Sequence, residues 1–332
     1  MNSPTASVKL YHEDCISGMA QHVADNSVHL TITSIPFEEL FTYSGKLEDV
    51  GNNGSTIDIR AGRFALNMSF VIHQLARVTA PGCNVCIHIQ QLLAYKIQHG
   101  YMGRRDFRGA MIDAFTAGGL FEYKGECAIP KDPQRMAQEL SLHSLQFKTG
   151  YGRTSTNLAP APNDYVLIFQ KPGEIETAVR CLRHTTANPD GWITTDDWIK
   201  WANGTWDDIL QTDVLDGWKA ARETNEEKHV CPLQLSIIYR CASLYTNPLT
   251  IQPDVTILDP FMGIGSTAYV ALGGKCQDGA LAVPRNVIGF ELKDSYFNQS
   301  ERNVAKLRRE QATSASTPIK QAREFDFDPV EV

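Results

Sequence analysis

The sequence predicts an α/β protein: a mostly parallel, twisted sheet with helices on both faces, interrupted by an inserted lobe. Three observations carry this expectation. Short apolar, β-branched runs alternate with longer stretches of helical period. The alternation is suspended over residues 176–227, which hold eleven acidic residues and all five tryptophans, four of them within DGWITTDDWIKWANGTWDD. Near the end, an apolar run leads through a glycine pair straight into a helical stretch, the turn used where a backbone must approach a ligand closely.

Taken in order, VKLYH, VHLTIT, NVCIHI, ECAIP, DYVLIF, VTILD and NVIGFE read as strands. Each is short, apolar and rich in β-branched or aromatic residues, too brief for a helix and suited to a sheet buried on both sides. Helical periodicity falls near residues 60–79, 104–117, 232–245, 266–273 and 293–310. Two regions stand outside this pattern. The link 130–163, rich in Ser, Thr, Gly and Pro, is too long for a simple connection in a compact domain. The lobe at 176–227 contains DGWITTDDWIKWANGTWDD, whose Trp192, Trp198, Trp201 and Trp206 are expected to form a core of its own. Residues 311–332 are polar and then acidic, the composition of a flexible tail.

A chain of 332 residues with 42% hydrophobic content can bury a large core. It has no apolar run of membrane-spanning length, and MNSPTASVKLYHED lacks the layout of a signal peptide, so a cytoplasmic location without membrane contact is expected. The net charge of −7 argues at first against a nucleic-acid partner, but four of those negatives, Glu324, Asp326, Asp328 and Glu331, lie in the tail. From Lys96 to Arg153 there are nine basic residues against six acidic ones. Of the eight cysteines only Cys83 and Cys86 have a metal-like spacing; they lie in a strand with no second pair, which favours core packing.

VTILDPFMGIGSTAYVAL carries the glycine turn: strand, Asp259-Pro260-Phe261, Gly263-Ile264-Gly265, then Ser266-Thr267 opening a helix. The following strand ends in Glu291, an acid placed to accept hydrogen bonds from a ribose diol. A nicotinamide site would use the same acid. Against it, the third glycine of its fingerprint is missing, with Tyr269 in the region, and Glu291 follows Gly263 by 28 residues rather than about 20. A second unusual strand exit is Ser34-Ile35-Pro36-Phe37, which closes VHLTIT with a hydroxyl, a carbonyl, a rigid ring and an aromatic face. By itself it could be a plain strand-to-turn exit.

Together, DPFMGIGST and the upstream TSIPF resemble the amino-directed DNA methyltransferases, whose motifs read D-P-F-x-G-x-G-[ST]-T and [DNS]-P-P-[YF]. The catalytic motif comes first and the cofactor motif last, similar to the β-class order. HEDCISGMAQHVADNSVHLTITS looks like the family's opening segment, PGCNVCIHI and DYVLIFQKP like two later strands, and KHVCPLQLSIIYRCASLYTN like the segment before the cofactor strand. The departures are Ile35 in place of the first proline and His229-Val230 in place of His-Pro, with Pro232 displaced.

The resemblance implies a Rossmann-like methyltransferase fold, with S-adenosyl-L-methionine as cofactor and double-stranded DNA as partner. It implies a catalytic half at 1–175 with a DNA-contacting loop at 130–163, a target-recognition lobe at 176–227, a cofactor-binding half at 228–310 and a tail at 311–332. The family's cofactor positions fall on Asp14, Cys15, His229, Asp259, Pro260, Phe261, Gly263, Gly265, Ser266, Thr267 and Glu291; His229 could equally cap the helix after it. In SIPF, the Ser34 hydroxyl and the Ile35 carbonyl would accept the two N–H bonds of an exocyclic amino group, while Phe37 would stack on a base swung out of the duplex. Lys131, Arg135, Lys148 and Arg153 are the expected phosphate contacts, with a solvated charged face as the plainer alternative. The implied reaction is methylation of cytosine N4 or adenine N6 in a short site, as in restriction-modification, by a monomer or homodimer in a bacterial or phage-infected cell. A catalytically impaired DNA-binding relative and an RNA methyltransferase are the alternatives.

Overall fold

The structure is a computed structural model, and it describes residues 5–36, 50, 63–139, 145, 159–179, 191–219, 221 and 232–316. In chain order the elements are β1 (Val8–Tyr11), α1 (Cys15–His22), β2 (Val28–Ser34), α2 (Arg63–Val78), β3 (Thr79–Gln90), β4 (Leu92–Ala94), α3 (Lys96–His99) and β5 (Gly103–Arg105). They continue with α4 (Phe107–Thr116), β6 (Glu122–Ile129), α5 (Pro133–Glu139), β7 (Asp164–Gln170), α6 (Thr195–Trp201) and α7 (Leu235–Tyr245). The last are β8 (Thr256–Asp259), α8 (Ser266–Ala271), β9 (Asn286–Phe290) and α9 (Asp294–Ser316).

Seven strands form one sheet in the order β1-β9-β8-β2-β3-β7-β6. From β1 through β3 neighbours pair in parallel, while β7 runs antiparallel to both β3 and β6. All seven strands anticipated from the sequence are in this sheet. Strand alternation sorts its two faces. Leu30, Ile32, Cys86, Val166, Ile257 and Val287 face a core completed by residues of α7, α8 and α9. Val85, Ile87, Leu167, Phe169, Leu258 and Phe290 face the opposite core, filled from α1, α2 and α4. Burial on both sides is why the central strands read as unbroken apolar runs.

The order places a switch point at the centre. After β2 the chain moves through α2 to β3 on one side, and after β8 it moves through α8 to β9 on the other. Crevices at the carboxyl ends of strands open at such points, because the two connections diverge. The glycine turn and the Ser34 exit both lie there.

Several elements differ from the sequence expectations. Helix α1 is held by the Asp14 side chain, which accepts from Ile16 N at 3.0 Å and Ser17 N at 2.8 Å. The small β4–β5 hairpin and helices α5 and α6 were not anticipated. Helix α9 continues through Ser316, so the first six residues of the expected tail are helical; Gln311 donates to the Leu272 carbonyl at 2.8 Å and ties that turn down. Residues 317–332 lie outside the described residues.

The tryptophans do not form a separate core. Trp201 and Trp206 are buried in the same cluster as α7. The Arg240 guanidinium of α7 lies 5.8 and 5.3 Å from their ring centroids. Trp192 donates its ring N–H to the Ser243 carbonyl at 2.8 Å, whereas Trp198 is 38% exposed. Arg240 accounts for the arrangement: fully buried, it is neutralised by Asp208 at 2.7 Å and Asp278 at 2.7 Å, which draws residues 201–208 onto α7. Cys83 and Cys86 are both buried and free, and burial pushes the Cys83 thiol up to about 11. Among the described residues there is no cluster of His, Cys, Asp and Glu able to hold a metal, and no helix long and apolar enough to cross a membrane.

Candidate active site

The site is built across the β8–β2 junction. Thr33 Oγ1 on β2 donates to Asp259 Oδ1 at the end of β8 at 2.6 Å. Thr267 Oγ1 donates to Asp259 Oδ2 at 2.6 Å, and the Phe261 amide donates to Oδ1 at 3.1 Å. Asp259 is therefore a clamp that fixes the DPF turn, the start of α8 and the last turn of β2 together. These donors are neutral, so burial wins over hydrogen bonding and pushes the carboxyl up to about 6.

From this clamp the chain passes to Gly263 and Gly265, both with positive φ, +55° and +89°. A side chain on Gly265 would meet Ser300 of α9 at 3.0 Å, while above Gly263 there is open space. Gly263 donates its amide to Glu291 Oε2 at 2.8 Å, which joins the glycine turn to the acid at the end of β9. Glu291 Oε1 accepts from the Lys293 amide at 2.8 Å. Two backbone donors thus orient the Glu291 carboxylate beside the glycine turn. The cradle also draws in α1: the buried Cys15 thiol is raised first by desolvation, then by Asp14, with Glu291 and Asp259 close enough to contribute. Open space over a glycine, half-exposed Phe261 and an oriented acid fit an adenosine-bearing cofactor. Pro260, Ser266 and Thr267 are buried supports behind that surface.

One residue past Thr33 is Ser34. Its neighbour Ile35 is 2% exposed and belongs to the core cluster with Val71, Ile72 and Ile87, and Pro36 is buried as well. Burial of the Ile35 side chain thus anchors the turn where a proline ring would have stiffened it. Phe37, His229, Lys148 and Arg153 lie outside the described residues.

Ser34 is also the first member of a chain of polar contacts that sequence reasoning missed. Ser34 Oγ lies 3.1 Å from His88 Nδ1, and His88 Nε2 lies 3.1 Å from Asp164 Oδ2. Lys131 Nζ pairs with the same Asp164 oxygen. His88 and Asp164 are buried, and the partners on Asp164 outweigh its desolvation and hold its carboxyl below the usual range. This corrects the expectation for Lys131: its side chain, 13% exposed, turns inward to a carboxylate rather than outward to phosphate. Arg135, on α5, is exposed. Asp14 is likewise committed, as the cap of α1, although it stands beside the cradle.

A family model described as DNA methylase, for N6 and N4 enzymes, matches residues 28–302. Among solved structures, the chain is similar to a candidate DNA modification methylase of Thermus thermophilus complexed with S-adenosyl-L-methionine. The TM-score is 0.57 at 17% identity, covering 91% of this chain and 94% of that one. It is similar too to the PvuII DNA methyltransferase, cytosine-N4-specific, with a TM-score of 0.56 at 14% identity and 93% of each chain covered. Both likenesses are of fold, and no curated protein matches the sequence.

Proposed function

The chain belongs to the DNA methylase family whose model spans residues 28–302, and from that membership we propose that it methylates an exocyclic amino group in double-stranded DNA, using S-adenosyl-L-methionine. The observation that carries the reading is the Thr33–Asp259 bond of 2.6 Å, because it puts the Ser34 hydroxyl one residue from the cofactor cradle. Bound S-adenosyl-L-methionine would supply an electrophilic methyl group; the N–C bond would replace the S–C bond, and the amino nitrogen would lose one of its two protons to solvent. The chain's own part is to make that lone pair available.

An exocyclic nitrogen is a poor nucleophile while its lone pair is shared with the ring. The Ser34 hydroxyl and the Ile35 carbonyl, fixed beside its two N–H bonds, favour the pyramidal nitrogen of the transition state and orient it for transfer. Glu291 would accept the ribose hydroxyls, and the backbone at Gly263 would let the cofactor lie close. A base must leave the duplex to reach Ser34, since the site lies in the crevice at the strand ends. Serine at this position favours cytosine N4 as the target, and the tryptophan-bearing lobe against α7 supports a role in choosing the sequence.

The experiment is nucleoside mass spectrometry on mixed-sequence duplex DNA incubated with the protein and S-adenosyl-L-methionine. N4-methylcytosine is expected, and Ser34→Ala should sharply lower its rate of formation. N6-methyladenine instead would move the target base. Cofactor binding with no methylated base would favour the DNA-binding relative, and methylation of RNA alone would reassign the substrate.

A further inference from the structure

The contact chain running from Ser34 through His88 to Asp164 is not used by the reaction as described above, and it constrains the one atom that reaction depends on. A serine hydroxyl carries one proton and two lone pairs, so it can either donate or accept toward a substrate. An amino group being methylated needs acceptors only. Whatever takes the Ser34 proton therefore decides how the side chain meets the base.

His88 sits directly across from Ser34 in the parallel β2–β3 register, and Asp164 opens β7 on the other side of β3. The Asp164 carboxylate can only accept, so the His88 ring must donate to it from Nε2. A neutral imidazole that donates from Nε2 accepts at Nδ1, and the group 3.1 Å from Nδ1 is the Ser34 hydroxyl. Lys131 supplies a cation to the same carboxylate oxygen, which keeps Asp164 an acceptor toward the ring. Burial keeps the arrangement dry, with His88 7% and Asp164 4% exposed.

We propose that His88 is a positioning residue: oriented by Asp164, it holds the Ser34 hydroxyl proton on its Nδ1 and so presents Ser34 Oγ to the target amino group as an acceptor alone. The proposal deepens the methyl-transfer reading and rests on it. His88 never touches the base and acts through Ser34. Asp164 fixes the tautomer, and Lys131 balances its charge. In the opposite tautomer, Nδ1–H would donate to Ser34 Oγ and push the serine proton toward the substrate's own N–H bonds, a donor facing donors.

Two measurements test this, one without catalysis. In protein labelled with ¹⁵N-histidine, the resonances lost in His88→Asn belong to His88. They should report a protonated Nε2 and an unprotonated Nδ1, and Asp164→Leu, which removes the acceptor facing Nε2, should abolish that preference. A protonated Nδ1 in the wild-type chain overturns the proposal. The second is a double-mutant cycle on methyl transfer. His88→Leu should lower kcat by at least about tenfold, the scale of one misplaced hydrogen bond, with KM for DNA little changed. His88→Asn, which keeps an acceptor oxygen near the Nδ1 position, should recover part of that loss. In the Ser34→Ala background neither change should cost more. Full additivity would mean that His88 acts elsewhere and sink the idea. A wild-type chain that methylates no DNA would instead overturn the functional reading, while the resonances still decide the tautomer.

Discussion

Strand β2 runs between two buried carboxylates that are stabilised in opposite ways. On the β8 side Asp259 is held by the hydroxyls of Thr33 and Thr267 and one backbone amide, and its carboxyl is pushed up to about 6. On the β3–β7 side Asp164 is held by His88 and Lys131, and its carboxyl is drawn down. Both are buried. Burial alone therefore does not set the outcome; the partner's charge does. The clamp beneath the cofactor cradle uses neutral donors, which fix geometry at the expense of stability near neutral pH. The support behind Ser34 uses a cation, Lys131, which keeps its carboxylate ionised and able to orient an imidazole.

That contrast can be broken from either side. The largest effect is expected from Lys131→Met, which leaves a buried carboxylate short of its cation and should cost about 3–5 kcal/mol in urea unfolding. A loss below about 1 kcal/mol would mean that His88 alone suffices for Asp164.

The next effect is a pH dependence of opposite sign at the two carboxylates. Because the Asp259 carboxyl is raised from 3.8 to about 6, the folded chain binds more protons than the unfolded one in that window. Its contribution is present in acid and declines as pH rises through about 6. Asp259→Asn removes the titration, so the variant should gain on the wild type by up to about 3 kcal/mol between pH 4 and 6. Asp164 is lowered, so its contribution is present above the ordinary value of 3.8 and is lost as pH falls below it. Denaturation midpoints across this range for Asp259→Asn and Asp164→Asn should diverge; parallel curves would refute the contrast.

The smallest effect belongs to Thr267→Val, which keeps the shape and deletes one neutral donor. Its expected cost is about 1–3 kcal/mol, from leaving a buried oxygen short of a partner. The variant should also raise the Asp259 carboxyl further, since that hydrogen bond lowers it. No change in the unfolding midpoint would show that Thr33 and the Phe261 amide carry the clamp.

Much of this molecule was legible from residue order. The apolar runs gave all seven strands of the main sheet, because a sheet buried on both faces leaves little room for polar residues. The DPFMGIGST turn and its acid were found because glycine conformations and a strand-end carboxylate leave a local signature, and Gly263 does donate to Glu291. SIPF was found the same way, although the burial of Ile35 that anchors it was not. The order of these motifs also carried the family.

What the sequence could not determine was everything that depends on register between distant strands. His88 sits inside CIHI, where it reads as one polar interruption, and Asp164 looks like a strand's first residue. Only the pairing of Ser34 with His88, and of Gln90 with Asp164, puts the three side chains on one face. Lys131 was counted as a surface cation because its charge was visible and its partner, 33 residues on, was not. The tryptophans suggested a separate core because their density is local, yet Arg240 on α7 pulls them into the main one. A local backbone conformation can be written in a few adjacent residues. The partner of a buried charge is chosen by the fold, since only the assembled sheet decides which distant groups share one dry space.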